Sequence, residues 1–324
     1  MPRNFVTVFL AALAACSGSN AGPHPNAGPD QACTDIASAR CAKLDACNKT
    51  GIVTRYGDMA TCNAREKLAC TLSLQAPATT VTASLQEQCI PALTAQSCND
   101  YLLGIFPVAC LPPAGPRATL AGCAYGGQCV TTDCAIAKGE ACGTCSNVPA
   151  PGDSCARIGC GRSGFVCVRD TMTCGAPAAD GGSCGLDVPC APSLACVGAT
   201  NTAQGSCQPR LSSAGAVCDS HRRTAPDCDH NAGLHCNPIS KICDAIAFAS
   251  PGQPCGITSG GVYALCTNGS CPIPDGGSTG ICFANAADDG GGCDLDAGAA
   301  CVSPARCVVN AGAGACQMPL LSCQ

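Results

Sequence analysis

Thirty-five cysteines in 324 residues constrain this chain more than any other feature. Cys16 stands apart, at the end of Leu13-Ala14-Ala15-Cys16 and just after a short apolar run. The other 34 fall between Cys33 and Cys323. That even number would supply 34/2 = 17 disulfides and calls for an oxidising compartment.

The cysteines stand in for an ordinary core. Leu, Ile, Val and Phe total 54 of 324 residues, less than the roughly one fifth below which highly charged chains stay disordered. The net charge is only −5, so strong self-repulsion is absent. A native disulfide contributes about 2–4 kcal/mol, and several per module can offset a thin core. The 17 basic residues are dispersed, with Arg222-Arg223 the only adjacent pair. Nucleic acid is therefore not expected as a partner, since phosphate binding needs clustered Lys and Arg.

Residues 1–15 read as a secretory signal, with Arg3 ahead of the apolar run from Phe5 to Leu13 and small residues before the cleavage point. Leu13-Ala14-Ala15-Cys16 resembles the bacterial lipobox, in which the cysteine thiol is acylated and becomes the new N-terminus. Ser17 in place of an acidic residue resembles the outer-membrane sorting pattern. The resemblance implies lipidation at Cys16 and a membrane partner reached through the lipid. Residues 17–32 are small, polar and rich in Pro and Gly, the composition of a flexible linker. Fully extended, such a linker spans about 55 Å at most.

Residues 33–111 differ in grammar from the rest of the chain. Their eight cysteines (Cys33, Cys41, Cys47, Cys62, Cys70, Cys89, Cys98 and Cys110) are widely spaced, and glycine is sparse. Cys33, Ile36, Leu44 and Cys47 share one face of a helix. Asp58 is placed to cap a second helix carrying Cys62 and Cys70. Ser84-Leu85-Gln86-Glu87 matches a capping box before Cys89. Pro91 should break or restart that segment, with a fourth helix over 93–103. These features predict a small helical bundle stapled by four disulfides, two of them fixing the register of antiparallel helices.

From residue 117 onward glycine and proline rise and a repeat emerges, at about 117–148, 151–176, 180–209, 214–245, 251–284 and 290–324. A turn such as Pro-Gly or Gly-Gly precedes four cysteines: Cys155, Cys160, Cys167 and Cys174; Cys184, Cys190, Cys196 and Cys207; Cys218, Cys228, Cys236 and Cys243, opened by Ala214-Gly215; Cys255, Cys266, Cys271 and Cys282; Cys293, Cys301, Cys307 and Cys316. The first unit holds five, at Cys123, Cys129, Cys134, Cys142 and Cys145. Its fifth cysteine and Cys323 are left over, and together restore parity. Apolar residues before the third cysteine, as in Gly164-Phe165-Val166-Cys167, suggest a short strand packed on the disulfides. Each unit is expected to be a pair of short hairpins tied by two bridges, with three pairings open. The fold class is small disulfide-rich: a stapled helical module followed by tandem irregular β-hairpin repeats. Such modules touch little, so an elongated array is expected.

The unit G-x-x-C … C … G-hydrophobic-x-C … C resembles the Dickkopf N-terminal cysteine-rich domain. Tandem copies behind a lipobox resemble a group of bacterial cysteine-rich surface lipoproteins. The animal domains contain an adjacent Cys-Cys pair that this chain lacks, so their receptor role and binding residues do not carry over.

Chemistry beyond disulfides has few candidates. Cys142-Gly143-Thr144-Cys145 is a CxxC, able in principle to cycle redox states or bind zinc, but no helical pattern follows it and a structural role is favoured. His221, Asp227, Asp229, His230 and His235 crowd the fourth repeat, where an exposed polar loop over 219–231 is favoured over a metal site. Asp288, Asp289, Asp294 and Asp296 flank a Gly run without the order of an EF-hand. No metal or cofactor is expected. There is no G-x-S-x-G, H-E-x-x-H or P-loop motif, so a non-enzymatic role is expected: a lipid-anchored, outer-membrane, extracytoplasmic array acting in surface structure or interaction. The alternative is a specific binding module such as a protease inhibitor or adhesin, using the loops between first and second cysteines.

Overall fold

A computed structural model describes residue 24 and residues 26–323, apart from 157–158, 161–162, 169, 186–187, 201, 286–289, 295–298 and 311. Helices come first: α1 (Pro29–Cys47), α2 (Gly51–Tyr56), α3 (Met59–Gln75), α4 (Ala83–Ala95) and α5 (Cys98–Leu102). Cys33–Cys70 and Cys41–Cys62 join α1 to α3. Eight residues separate the two cysteines on each helix, in opposite chain directions, as antiparallel helices in a single register require. Cys47–Cys98 and Cys89–Cys110 complete the four staples. Around them pack Ile36, Ile90 and Leu93 in one cluster, and Leu44, Ile52 and Tyr56 in a second.

Several local expectations hold and others shift. The Asp58 carboxylate caps α3 by accepting from Thr61 N at 2.7 Å. The cap of α4 is Thr82, whose hydroxyl accepts from Leu85 N, and Ser84 lies inside the helix, where its hydroxyl accepts from Gln88. Pro91 does not break α4. It supplies no amide to the Glu87 carbonyl, yet the Cys89–Cys110 bridge and buried Ile90 and Leu93 hold the helix through it. At the far end the buried Lys43 ammonium, from α1, donates to the carbonyls of Thr94 and Gln96 and so neutralises the last turn of α4. The expected fourth helix over 93–103 is reduced to α5, capped by Ser97. The linker is also shorter than its composition suggests. Helix α1 starts at Pro29, and His24 N donates to the buried Glu87 carboxylate at 2.8 Å.

The six repeats share one pairing wherever four cysteines define it: first to third, second to fourth. Cys155–Cys167 with Cys160–Cys174, and Cys184–Cys196 with Cys190–Cys207, show the pattern. Cys218–Cys236, Cys228–Cys243, Cys255–Cys271, Cys266–Cys282, Cys293–Cys307 and Cys301–Cys316 repeat it. The third and fourth cysteines face each other across a hairpin without bonding to one another: Cys167 opposite Cys174, Cys196 opposite Cys207, Cys236 opposite Cys243 and Cys307 opposite Cys316. Directly opposed side chains project from one face. Both sulfurs therefore reach the loop carrying the first and second cysteines and staple it onto that face. Phe165, Leu194 and Leu234 pack on the resulting cystines, as expected.

Outside the fifth repeat each unit has one hairpin rather than the expected pair; the fifth pairs Pro254–Ile257 with both Tyr263–Cys266 and Thr279–Ile281, and forms a second antiparallel pair from Gly269–Ser270 and Phe283–Ala284. A short strand from the opening segment adds to the single hairpin, giving the order first–third–second in Gly122–Cys123, Cys134–Ala135 and Gly143–Cys145, and again in the third and sixth repeats. The opening turn has a fixed job. Gly152, Gly181, Gly215, Gly252 and Gly290 all take positive φ, between 74° and 89°. Their amides donate to the carbonyls of Cys174, Cys207, Cys243, Cys282 and Cys316, the fourth cysteine each time. Each lies three residues before the first cysteine of its unit, which explains the G-x-x-C signature. In the first unit Leu120 takes this place, at φ 71°, and donates to Cys145 O.

That equivalence identifies Cys145 as the fourth cysteine of its unit, bonded to Cys129, while Cys123 bonds Cys134. The surplus cysteine is Cys142, not the fifth, and it bonds Cys323. The first and last repeats are thus joined covalently, and the elongated array expected from weak contact between modules is not what forms. Val309 N donates to Gly139 O across the same junction. Five repeats also touch the helical hub. Thr80 N bonds Gly127 O, Gly164 packs beside Ile105, Lys49 N bonds Asn231 O, and Asn268 N bonds Val53 O. The Arg65 guanidinium donates to Val302 O and Ser303 O, and Val302 enters the second hub cluster.

Candidate functional site: closure, junction and cleft

The covalent closure has a polar keystone. Gln128 is fully buried. Its carbonyl oxygen accepts from Ala124 N at 2.8 Å and Tyr125 N at 3.2 Å, and its amide donates to Pro77 O at 2.9 Å and Leu321 O at 3.2 Å. One side chain thereby ties the hub, the first repeat and the chain end beside Cys323, with every polar atom satisfied. Arg117 adds a guanidinium bond to Cys323 O. Gly143, inside the CxxC, is needed for packing: a Cβ there would collide with Ala135 O on the neighbouring strand. The two thiols of the motif are committed to different partners, Cys323 and Cys129, so the motif works as two structural bridges rather than as a dithiol pair.

Sulfurs of the repeats cluster tightly. Those of Cys155, Cys160 and Cys174, like those of Cys218, Cys228 and Cys243, lie within 4.8 Å of one another. Thiolate ligation is not available to them, because each sulfur is bonded in a disulfide.

The crowded polar stretch of the fourth repeat divides in two. Around Asp219 it is the expected exposed loop. The carboxylate accepts from the amides of His221, Arg223 and Thr224, and these bonds lower its pKa to about 2. His221 stays at the surface. His230 and His235, by contrast, form a junction with the fifth repeat, which the expectation of an exposed loop over 219–231 did not contain. His235 stacks on Tyr263 with ring centroids 4.7 Å apart, and His230 meets both rings edge-on at 5.8 Å. His235 is 8% exposed, and its Nε2 has no hydrogen-bond partner among the described residues. Burial pushes both imidazoles below their ordinary pKa. The charge of His230 adds to this at His235, against the opposing pull of Asp227 and Asp244. Asp227 pairs with Arg210 at 3.9 Å, and Asp229 caps the turn that starts at His230. Of the glycine-flanking aspartates, Asp288, Asp289 and Asp296 lie outside the described residues, as does Cys16. The amide oxygen of Asn48, a formal glycosylation acceptor, is occupied by Thr50 N and Oγ1.

A cleft opens in the hub where α1, α2 and α3 meet the segment after α5. Its cavity of about 240 Å³ is lined by Arg40, Leu44, Arg55, Tyr56, Glu66, Tyr101 and Phe106 among others. The Glu66 carboxylate is fully engaged, accepting from Tyr56 OH at 2.8 Å and facing Arg40 at 3.4 Å. Burial, then the Glu66 charge, raises the Tyr56 pKa far above its usual range; burial also raises that of Tyr101, with the Arg55 charge opposing it at both. Both phenols are therefore protonated at neutral pH. A second cavity, of about 480 Å³, shares Arg55, Tyr56 and Glu66 and continues to Ser270 of the fifth repeat, Asn285 just after it and Ser303 of the sixth. No sequence pattern pointed to this cleft, because its residues come from four separate segments.

Seventeen disulfides belong to an oxidising, extracytoplasmic setting. Among the described residues no helix is long and apolar enough to cross a membrane. No protein-family model, curated protein sequence or solved structure matches the chain.

Proposed function

We propose that this is a non-enzymatic, extracytoplasmic interaction protein, held at the outer membrane by a lipid on Cys16 and presenting a disulfide-locked head. The observation that carries this reading is the closure of the six repeats through Cys142–Cys323 onto a stapled hub. Such a head resists unfolding and proteolysis outside the cell, and it displays loops of differing length from a rigid base. The lipobox-like Leu13-Ala14-Ala15-Cys16 and the small polar segment after it supply the tether. The resemblance to bacterial cysteine-rich surface lipoproteins agrees with this assignment. Labelling with a radioactive fatty acid tests the anchor: wild type should incorporate label and sediment with membranes, whereas a Cys16→Ala variant should do neither. A variant that still sediments with membranes refutes it.

A second reading, a binding module of defined target such as an adhesin or protease inhibitor, draws on a specific surface. On the fifth repeat Ile273, Ile281 and Phe283 are 42–50% exposed and line a shallow apolar groove with Pro272 and Pro274. Saturable capture of one protein by the wild-type head, lost in a Phe283→Ser variant, would favour that reading over a purely structural one.

A further inference from the structure

We propose that the hub cleft is a binding site for a small organic carboxylate with a flat apolar body. The chain is poor in aromatic residues, with four Tyr, six Phe and no Trp. Three of these ten, Tyr56, Tyr101 and Phe106, line this one cavity. Phe106 is 44% exposed at its mouth. Leu44 adds an aliphatic wall. Tyr56 lies inside the second hub cluster and Tyr101 packs against both clusters, whereas Phe106 is left at the opening.

The charges specify the ligand's sign. Arg40 and Tyr56 already occupy both oxygens of Glu66. Arg55 lines both cavities, is exposed, and has no carboxylate partner among the described residues. The balance of two guanidinium groups against one carboxylate leaves one positive charge in the cleft. The Tyr101 hydroxyl, kept protonated by burial, donates to no described residue. Arg55 and Tyr101 thus offer a guanidinium and a phenolic donor beside an apolar slot. A planar fork of N–H donors matches a carboxylate in shape as well as charge. The volume, about 240 Å³, suits a body of one ring rather than a drug-sized molecule. Neutral rings would gain only the apolar contacts, and cations would meet the unpaired guanidinium.

The mature, fully oxidised protein can be titrated with phenylacetate, and with phenylacetamide as the uncharged control, by calorimetry and by the ring proton signals of the tyrosines. Phenylacetate should bind saturably, with a dissociation constant on the order of 1 mM or below, and should shift tyrosine resonances. Phenylacetamide should bind at least about tenfold more weakly. Arg55→Gln, at an exposed position, should leave helix content and disulfide mass unchanged and weaken phenylacetate about tenfold or more. Tyr101→Phe keeps the ring and should weaken it by a smaller factor. Absence of saturable binding up to about 10 mM, or equal affinity in wild type and Arg55→Gln, overturns the proposal. The tether plays no part in this test, so its outcome is independent of the lipid anchor.

Discussion

Cys142 and Cys323 lie 181 residues apart in sequence, and a disulfide holds their Cα atoms 5.7 Å apart. Every other bridge in the repeats stays within its own unit and spans 11–18 residues. The intra-unit bridges make each repeat self-sufficient; the long one makes six repeats into a closed circuit. Among the disulfides, only the long bridge joins one repeat to another.

Removing it should loosen the assembly without melting its parts. A Cys142→Ala/Cys323→Ala double variant is expected to lose about 2–4 kcal/mol in guanidinium unfolding, and to show a larger hydrodynamic radius under mild denaturant. Intermediate bridges already shorten the effective loop, so the loss should not approach the value for a free loop of that length. Unchanged stability and radius would mean that hub contacts alone fix the ring.

Gln128 should be among the most sensitive positions outside the cysteines. Gln128→Ala strips partners from two amides and two carbonyls at the same closure. The expected cost is about 2–4 kcal/mol, read as a lowered denaturant midpoint with the disulfide mass intact. Gln128→Glu should also destabilise, because a carboxylate would then face the carbonyls of Pro77 and Leu321. A cost under about 0.5 kcal/mol for Gln128→Ala would show that water replaces all four bonds.

Leu120 occupies the turn position that glycine fills in the other five repeats, with φ 71° and a side chain 79% exposed. A branched residue is strained there, and little burial is at stake. Leu120→Gly should therefore stabilise by up to about 1 kcal/mol, whereas Gly215→Ala, at φ 79°, should destabilise by a similar amount or more. Calorimetric melting of both variants checks the pair, and opposite signs are required.

The junction of His230, His235 and Tyr263 gives the head an acid-sensitive seam. Both imidazoles have folded-state pKa values lowered chiefly by burial, from an unfolded value of about 6.5. Below that value the unfolded chain binds more protons than the folded one, so stability falls as pH falls. The contribution is fully present above about pH 6.5 and is lost on acidification through the window beneath it. Asp227, Asp229 and Asp244 oppose the shift, while Arg210 and Arg222 reinforce it at His230. His235→Phe, which preserves the stack on Tyr263, should flatten the acid limb of a stability–pH curve between about pH 4 and 7. An unchanged slope would assign the acid sensitivity elsewhere.

Much of the fold was legible because it rests on local rules. The helical face of Cys33, Ile36, Leu44 and Cys47, the Asp58 cap and the register-fixing pair of staples follow from helical spacing. The G-x-x-C turn follows from the left-handed backbone that glycine alone adopts freely. Thr82 was missed because Ser84 imitates a capping box two residues later, and Pro91 misled because tertiary staples outweigh its local cost. Closure was illegible for a different reason. A nearby CxxC offers Cys142 a false local partner, and only comparison of Leu120–Cys145 with Gly152–Cys174 shows which cysteine is surplus. Contacts to the hub run largely through backbone carbonyls, such as Arg65 to Val302 and Ser303, which leave no trace in side-chain patterns. The cleft draws Arg40, Arg55, Tyr101 and Phe106 from separate segments and likewise has no sequence signature.

The closed circuit is tested most directly by mapping the disulfides of the mature protein, digested without reductant and at acid pH to prevent exchange. A cross-linked peptide pair joining Cys142 to Cys323, with Cys145 joined to Cys129, is the expected result. A Cys142–Cys145 bridge with Cys323 free or paired elsewhere would contradict closure and restore the open array.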